Sequence, residues 1–190
     1  MIKIPIEVSA RHVHISEGDL KELFGKEIQL KEIKKLSQPN EFVSEQTVTL
    51  KTEKDQIEKV RILGPCRQLT QVEISQTDAY RLGLNPPIKE CTRSSGEMAA
   101  LITICNGEKC LERAAAIIAQ RHIHFNPQQA KEINVKDNEN VSIKISGKKS
   151  LTFHNVLIRV EEDFEKMMHI DTDEANAAGI LGNGEGELIK

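Results

Sequence analysis

Hydrophobic residues alternate with other residues at the start of the chain, at Ile2, Ile4, Ile6 and Val8. A period of two is typical of a β-strand with one buried face. Further short apolar runs predict strands at Val48 to Leu50, Ile57 to Leu63, Ile102 to Cys105, Val141 to Ile145 and Leu151 to Val160. Turn residues separate them, at Gly64-Pro65, Asn106-Gly107 and Gly147-Lys148. Short strands with polar turns and few helices favour barrels or sandwiches.

The predicted helices are short, and each starts with a capping residue. Ser16 is followed by an apolar stripe that ends at Gly25, which indicates an N-cap, a short helix and a C-cap. Asn126, with Pro127 after it, begins a second helix of the same kind. Between residues 26 and 45, a Lys-rich amphipathic piece and a Gln38-Pro39-Asn40 turn predict a helical insertion.

Two histidine pairs repeat along the chain. The run Arg11-His12-Val13-His14-Ile15 returns 110 positions later as Arg121-His122-Ile123-His124-Phe125, and a capped helix follows each run. Alternate side chains of a strand project from one face roughly 7 Å apart, so both histidines of a pair can approach one ion. Each pair therefore supplies two ligands and needs a third.

A second repeat supplies the third ligand. At an offset of 96, the run from Glu73-Ile74 to Gly83-Leu84 aligns without gaps onto the run from His169-Ile170 to Gly179-Ile180. Glu73 and His169 thus take the same place, just ahead of a short helix that ends in glycine. We infer two half-sites, which consist of His12, His14 and Glu73 in the first and His122, His124 and His169 in the second.

A lone His-x-His in a half-buried strand is more often structural than metal-binding. The duplication changes this balance, because five of the six histidines fall into the half-sites and only His154 is left over. Nitrogen and carboxylate ligands in threes leave one coordination position open, which favours zinc. Two copies of the pattern predict two small β-barrels related by a pseudo-twofold axis, with short capping helices and a metal-bearing cleft.

Length, charge and composition limit the classes of protein to which the chain can belong. At 190 residues and a formal net charge of -3, the chain can form two small cores and offers no basic face for nucleic acid or an anionic membrane. No apolar run approaches about 18 residues and the first residues lack a signal-peptide core, so we expect a cytoplasmic protein. Reduced cysteines are expected there, although Cys105 and Cys110 flank a turn and could face each other.

Five motifs resemble the PduL-type phosphotransacylase family, also called phosphate propanoyltransferases. They are Val8 to His14, Leu63 to Arg67, Thr70 to Ser75, Arg121 to His124 and Met168 to Asn176. They occur in the order of the family and cover almost the whole chain. The resemblance implies a reversible transfer of a short acyl group between coenzyme A and inorganic phosphate, on two β-barrels with two zinc ions.

The resemblance also implies roles for individual residues. The first zinc would be held by His12, His14 and Glu73 and the second by His122, His124 and His169, and Arg67 would bind phosphate. Because the barrels of that family are interleaved, residues 1-10 with 119-190 would form one barrel and residues 11-118 the other. The N-terminal strand would complete the C-terminal barrel. A homodimer and a functional link to an acetate- or propionate-type kinase are further implications.

The chain departs from the family pattern in three places. Asn40 stands where the family usually shows glycine, a mild change because both residues tolerate positive φ. The stretch Arg93 to Ala100 lacks the Gly-Ser-Pro-rich run expected to contact coenzyme A. No extension of the kind that directs some members to bacterial microcompartments precedes Ile2, so a free cytoplasmic enzyme is expected.

Two other functions would use the same ligands. A zinc-dependent hydrolase would attack a thioester or phosphoester with zinc-bound hydroxide in place of phosphate. A non-catalytic double-barrel protein would bind zinc without releasing any thiol, and Arg67 would then have no role. Thiol release that depends on phosphate would distinguish the transferase from the hydrolase. Any thiol release at all would distinguish it from the non-catalytic protein.

Overall fold

The computed structural model describes residues 2–90 and 99–189. Strands predominate over short helices there, which confirms the mainly-β prediction. The elements in chain order are β1 (Ile2–Ser9), β2 (His12–Ser16), α1 (Glu17–Phe24), β3 (Glu32–Lys35), β4 (Phe42–Lys51), β5 (Gln56–Arg67), β6 (Gln71–Glu73), α2 (Gln76–Leu82), β7 (Ile88–Lys89), β8 (Ala100–Asn106), β9 (Lys109–Ala119), β10 (His122–Phe125), α3 (Pro127–Glu132), β11 (Asn140–Ile145), β12 (Leu151–Val160), β13 (Met167–Asp171), α4 (Thr172–Ala178) and β14 (Asn183–Ile189).

One compact unit contains both ends of the chain, and it consists of Met1–Ala10, Ser37–Pro39 and Gln120–Lys190. Its strands form a closed barrel in the order β1, β13, β10, β12, β11, β14. Because β1 is parallel to β13 and antiparallel to β14, the N-terminal strand completes a barrel made by the C-terminal part of the chain. The alternation that predicted β1 is explained by the core, since Ile4 and Ile6 are fully buried in it.

The other unit consists of Arg11–Leu36 and Asn40–Ala119. Its pairings run β4, β5, β2, β6, β9, β8 and back to β4, which closes a second six-stranded barrel. β3 adds to the outer side of β4, and β7 pairs with β9. The prediction of two β-barrels with short capping helices is confirmed.

The two units repeat the same local plan. In each, a short strand that carries a histidine pair lies antiparallel to a strand that leads directly into a capped helix, α2 or α4. Ser75 and Asp171 cap these helices at the N-terminus, each in a capping box. Gly83 and Gly179 end them in the left-handed region, at φ 70° and 68°, which glycine adopts without steric cost. The repeat at an offset of 96 is thus a structural repeat.

The helical insertion predicted at 26–45 is wrong. This segment contains strand β3, which pairs with β4, and its Ile33 side chain is 51% exposed. A short helix without a buried apolar face is marginal in water, whereas the edge of β4 offers backbone hydrogen bonds. The turn at Gln38-Pro39-Asn40 is present, and Asn40 adopts φ 64°, as the tolerance of asparagine for positive φ allows.

Two further expectations are corrected by strand pairing. The Gly64-Pro65 dipeptide, predicted as a turn, lies inside β5, which continues to Arg67 beside β2. Cys105 and Cys110, expected to be reduced, are joined by a disulfide because the β8–β9 hairpin places them directly opposite each other. Cys66 is a free thiol. Cys91 and residues 93–98 of the stretch Arg93 to Ala100, where coenzyme A contacts were left open, lie outside the described residues.

Candidate metal centres

The first candidate centre lies at the end of β6 beside β2. In the antiparallel register His12 stands directly opposite Glu73, and His14 follows two positions along the same strand face. Nε2 of His12 lies 3.1 Å from Nε2 of His14 and 3.5 Å from Oε2 of Glu73. Nε2 of His14 lies 3.4 Å from Oε1 of Glu73. The predicted grouping of these three residues is therefore a feature of the structure.

Burial and charge set the protonation states of this group. Burial lowers the pKa of His14 to about 3, and the positive charge of Arg67 acts in the same direction, so His14 is a neutral imidazole with a lone pair. Burial works to raise the pKa of Glu73, but His12 and His14 outweigh it and hold that pKa well below its ordinary value. Neutral imidazole and ionised carboxylate are the forms that bind a divalent cation.

The second candidate centre has the same construction on β10 and β13. His122 stands opposite His169 in the antiparallel register, and His124 lies on the same face as His122. The three ring centroids are 4.7 to 5.3 Å apart. Nδ1 of His122 lies 2.8 Å from the carbonyl oxygen of Gln120, and the His124 ring stacks on Phe164. The contact with Gln120 favours the tautomer of His122 whose Nε2 carries the lone pair.

Both groups fit a metal ion with three protein ligands. In each, one ligand atom from every residue lies within 4.8 Å of the others, and among the described residues only these two groups meet that condition. Oε1 of Glu73 is buried and accepts no hydrogen bond, which is costly for a carboxylate unless a cation approaches it. Donor sets of two imidazoles with one carboxylate, or of three imidazoles, suit zinc with one position open.

Arg67 ends β5 beside the first centre. Its strand runs parallel to β2, with Ser16 as its register partner. The side chain is only 12% exposed, and its Nη2 donates to Oε1 of Glu41 at 3.1 Å. Arg67 is thus a half-buried cation held by a carboxylate, unlike a solvated surface arginine. Nothing in the sequence pattern indicated Glu41, which is 26 positions from Arg67.

The arginines that precede the histidine pairs each form an ion pair with an acidic residue of a nearby helix. Nε of Arg11 donates to Asp78 at 2.7 Å, and Nη1 of Arg121 donates to Glu174 at 2.5 Å. Both acceptors occupy the third position of the helix that follows the third ligand. Each arginine therefore ties the strand of the histidine pair to the helix behind the third ligand. Asp78 and Glu174 take equivalent places in the repeat at an offset of 96, and this equivalence was the sequence signal for the contact.

None of the helices in residues 2–90 and 99–189 has the length and apolar character that a membrane span requires.

Two six-stranded barrels, each with a buried three-ligand group, define a double-barrel protein with two candidate metal centres. A profile of the phosphate propanoyltransferase family matches residues 5–181. A phosphate propanoyltransferase from Alkaliphilus metalliredigens is 45% identical over 192 residues, which cover 100% of this chain and 89% of the relative. The chain belongs to the phosphate propanoyltransferase family.

Two further relatives carry the same name. The protein from Thermotoga maritima is 46% identical over 183 residues, which cover 96% of this chain and 86% of the relative. The protein from Clostridioides difficile is 43% identical over 187 residues, which cover 98% and 89%. The similarity therefore extends through both barrels.

Proposed function

We propose that this chain transfers a short acyl group reversibly between coenzyme A and inorganic phosphate, with one zinc ion at each candidate centre. The observation that carries the proposal is the half-buried Arg67 beside a buried His–His–Glu group, in a chain similar over its full length to phosphate propanoyltransferases. The acyl phosphate formed would be a substrate for an acetate- or propionate-type kinase. A cytoplasmic homodimer remains our expectation for the working form.

His12, His14 and Glu73, and likewise His122, His124 and His169, would hold a zinc ion, which would supply a Lewis acid for a carbonyl oxygen or a thiolate sulfur. The residues of the chain provide the conditions for this. His14 is neutral and Glu73 ionised at neutral pH, so no proton must leave these two ligands before they bind a cation. Five of the six residues are buried and the His169 side chain is 16% exposed, which limits access of water.

Arg67 is the residue that would hold phosphate. Its planar guanidinium can donate two parallel hydrogen bonds to one phosphate, and its charge lowers the repulsion between phosphate and an anionic acyl-CoA. Glu41 holds one nitrogen of the guanidinium and so fixes the direction in which the group points. A lysine at this position would supply charge without the planar arrangement of donors.

An assay with acyl-CoA, with and without phosphate, tests the reaction. We expect free thiol to appear only when phosphate is present, together with stoichiometric acyl phosphate. Thiol release without phosphate would identify a hydrolase, and its absence under both conditions would identify a non-catalytic metal-binding protein. A series of acyl chain lengths in the same assay gives the substrate preference.

Metal analysis tests the two centres. We expect two zinc ions per chain, and His122→Ala should lose one of them with most of the activity, because a two-ligand site is too weak to fill. His154→Ala is the matched control, since His154 is exposed and its ring contacts only Ser142 among the hydrogen bonds described. Two zinc ions and normal turnover in the His122 variant would contradict the assignment.

Steady-state kinetics test Arg67. Arg67→Lys should raise the phosphate KM and lower kcat, by roughly tenfold or more in kcat/KM, because a lost charge-assisted hydrogen bond costs about 1.5 to 3 kcal/mol. Arg61→Lys is the control, since Arg61 lies on the same strand but is exposed and donates to the backbone oxygen of Glu45. An unchanged phosphate dependence in the Arg67 variant would remove it from the site.

A further inference from the structure

We propose that Glu7 is a positioning residue for His169 and that Ser37 holds Glu7 in place. This inference rests on the proposed zinc at the second centre. Glu7 is the parallel register partner of His169, and its Oε2 lies 3.8 Å from Nδ1 of that ring. The gap is too long for a hydrogen bond and too short for a bridging water, so a small rotation of either side chain closes it.

The contact determines which nitrogen of His169 faces the other ligands. A carboxylate at Nδ1 favours the tautomer with the proton on Nδ1, which leaves the lone pair on Nε2. A metal-binding histidine that donates its other N–H to a carboxylate is also oriented and made more basic by it. Glu7 would therefore fix both the tautomer and the direction of the His169 ring.

Ser37 supplies the support behind Glu7. Its Oγ donates to Oε2 of Glu7 at 2.5 Å, from a three-residue segment that belongs to this barrel although its flanking residues belong to the other unit. The next residue, Gln38, is buried and forms two hydrogen bonds with the backbone of Glu165. These bonds attach residues 37–39 to a backbone position two residues ahead of β13, and so keep Ser37 close to the second centre.

The strand neighbour of the third candidate ligand differs between the two centres. The strand that neighbours its third ligand is β9, and the register partner of Glu73 there is the buried Ile117. Where the third ligand is itself a carboxylate, its neighbour is apolar, and where the third ligand is His169, its neighbour is Glu7. Each centre thus contains one carboxylate, either among the candidate ligands or directly behind one.

Zinc affinity measured by competition with a chelator tests this role. Placing Glu7→Gln in a His14→Ala background isolates the second centre, and placing it in a His122→Ala background isolates the first. We expect the second centre to lose about 10- to 100-fold in affinity and the first to change less than about twofold. Ser37→Ala should produce a smaller loss at the second centre only. Glu185→Gln, an exposed carboxylate on the neighbouring β14, is the matched control.

The nitrogen chemical shifts of His169 give a readout that does not depend on zinc or on activity. In the metal-free protein we expect the Nδ1–H tautomer in the wild type and a shift toward Nε2–H in Glu7→Gln. Glu7→Asp should restore part of the zinc affinity. Suppose that the wild-type chain binds two zinc ions and that Glu7→Gln changes neither their affinities nor the tautomer of His169. This result would overturn the role of Glu7 alone. A wild-type chain that binds no zinc would overturn the proposed centres and this role with them.

Discussion

At the scale of single residues, the position of Arg67 depends on a glycine. Phe42 pairs with Gly64, and its ring lies where a Cβ of residue 64 would stand, with Cζ only 2.2 Å from that point. Glu41, the partner of Arg67, is the residue before Phe42. The absence of a side chain at Gly64 therefore lets the ring pack over β5 and keeps Glu41 within reach of Arg67.

Gly64→Ala should consequently affect both stability and phosphate binding. The ring of Phe42 must move, and overpacking of this kind costs about 1 to 3 kcal/mol. We expect a lower free energy of unfolding in urea and a raised phosphate KM at conditions where the protein stays folded. Gly18→Ala is the control, because its Cβ would meet only Oγ of Ser16 at 4.0 Å. Alanine inside α1 should be stabilising by about 0.5 to 1 kcal/mol, and an equal loss in both variants would contradict the argument.

These residue contacts mark the limit of what the sequence could predict. The two groups of candidate ligands could be proposed from the sequence because they repeat, and Arg67 because its motif resembles a family. Glu7, Ser37 and Glu41 act through side-chain contacts across 26 to 162 positions of the chain. No local pattern carries information about which side chains meet at such distances, so only the three-dimensional structure shows these contacts.

At the scale of elements, the carboxylate of Asp19 links helix α1 to two other parts of its unit. Asp19 accepts hydrogen bonds from Arg113 of β9 at 2.7 Å and from Thr70, just before β6, at 2.5 Å. Burial works to raise the pKa of Asp19, but Arg113, Thr70 and Ser16 outweigh it and lower that pKa. The ionised side chain thus stabilises the docking of α1.

The pH dependence of this contribution follows from the direction of the shift. A carboxyl whose pKa is lowered by folding stabilises the protein above its unfolded pKa of about 3.9 and loses that effect as pH falls through the lower folded value. Asp19→Asn should therefore cost about 1 kcal/mol near pH 7, since Arg113 is partly exposed, and the difference from wild type should shrink in acid.

Urea unfolding at a series of pH values measures this difference, and subtraction of the wild-type curve removes the titration of other groups. Glu17→Gln is the control in the same helix, because Glu17 and its partner Lys21 are both exposed and the pair should matter much less. A constant difference between the Asp19 variant and the wild type down to pH 3 would contradict the role of its charge.

The elements themselves were predictable where local chemistry decides them. Capped helices and alternating strands were recognised from Ser16, Asn126 and the run from Ile2 to Val8, because caps and periodicity act within a few residues. β3 was missed because its residues are exposed and only its pairing with β4 makes it a strand. The disulfide was not expected, because cysteines of a cytoplasmic protein are usually reduced. The hairpin register places Cys105 and Cys110 opposite each other, and this brings the two sulfur atoms together.

At the scale of the whole molecule, β1 is the strand on which one barrel depends. It pairs on both sides, and its Ile4 and Ile6 side chains each contribute about 1.5 to 3 kcal/mol by burial. Their sum is a large part of the 5 to 15 kcal/mol that stabilises a typical domain. Removal of residues 1–10 should therefore open this barrel and abolish the second centre.

Zinc content and hydrogen exchange of a chain of residues 11–190 test this dependence. We expect one zinc ion in place of two, with loss of exchange protection confined to residues 120–189. A synthetic peptide of residues 1–10 should restore both, whereas the same peptide with Ile4→Ser and Ile6→Ser should not. Retention of two zinc ions by the shortened chain would show that β1 is dispensable.

The interleaved course of the chain also fixes an order of events during synthesis. Residues 11–119 are complete well before β13 and β14 leave the ribosome, so the barrel of β4, β5, β2, β6, β9 and β8 can fold before β1 meets its partner strands. The barrel that contains β1 needs contacts across more than 160 positions, so we expect it to form more slowly than the other. Proline at position 5 leaves the waiting strand with one hydrogen-bond donor fewer, which makes it a poorer template for pairing with other chains.

A chain of residues 11–119 made alone should accordingly fold and bind one zinc ion. Failure to do so would mean that the two barrels form together.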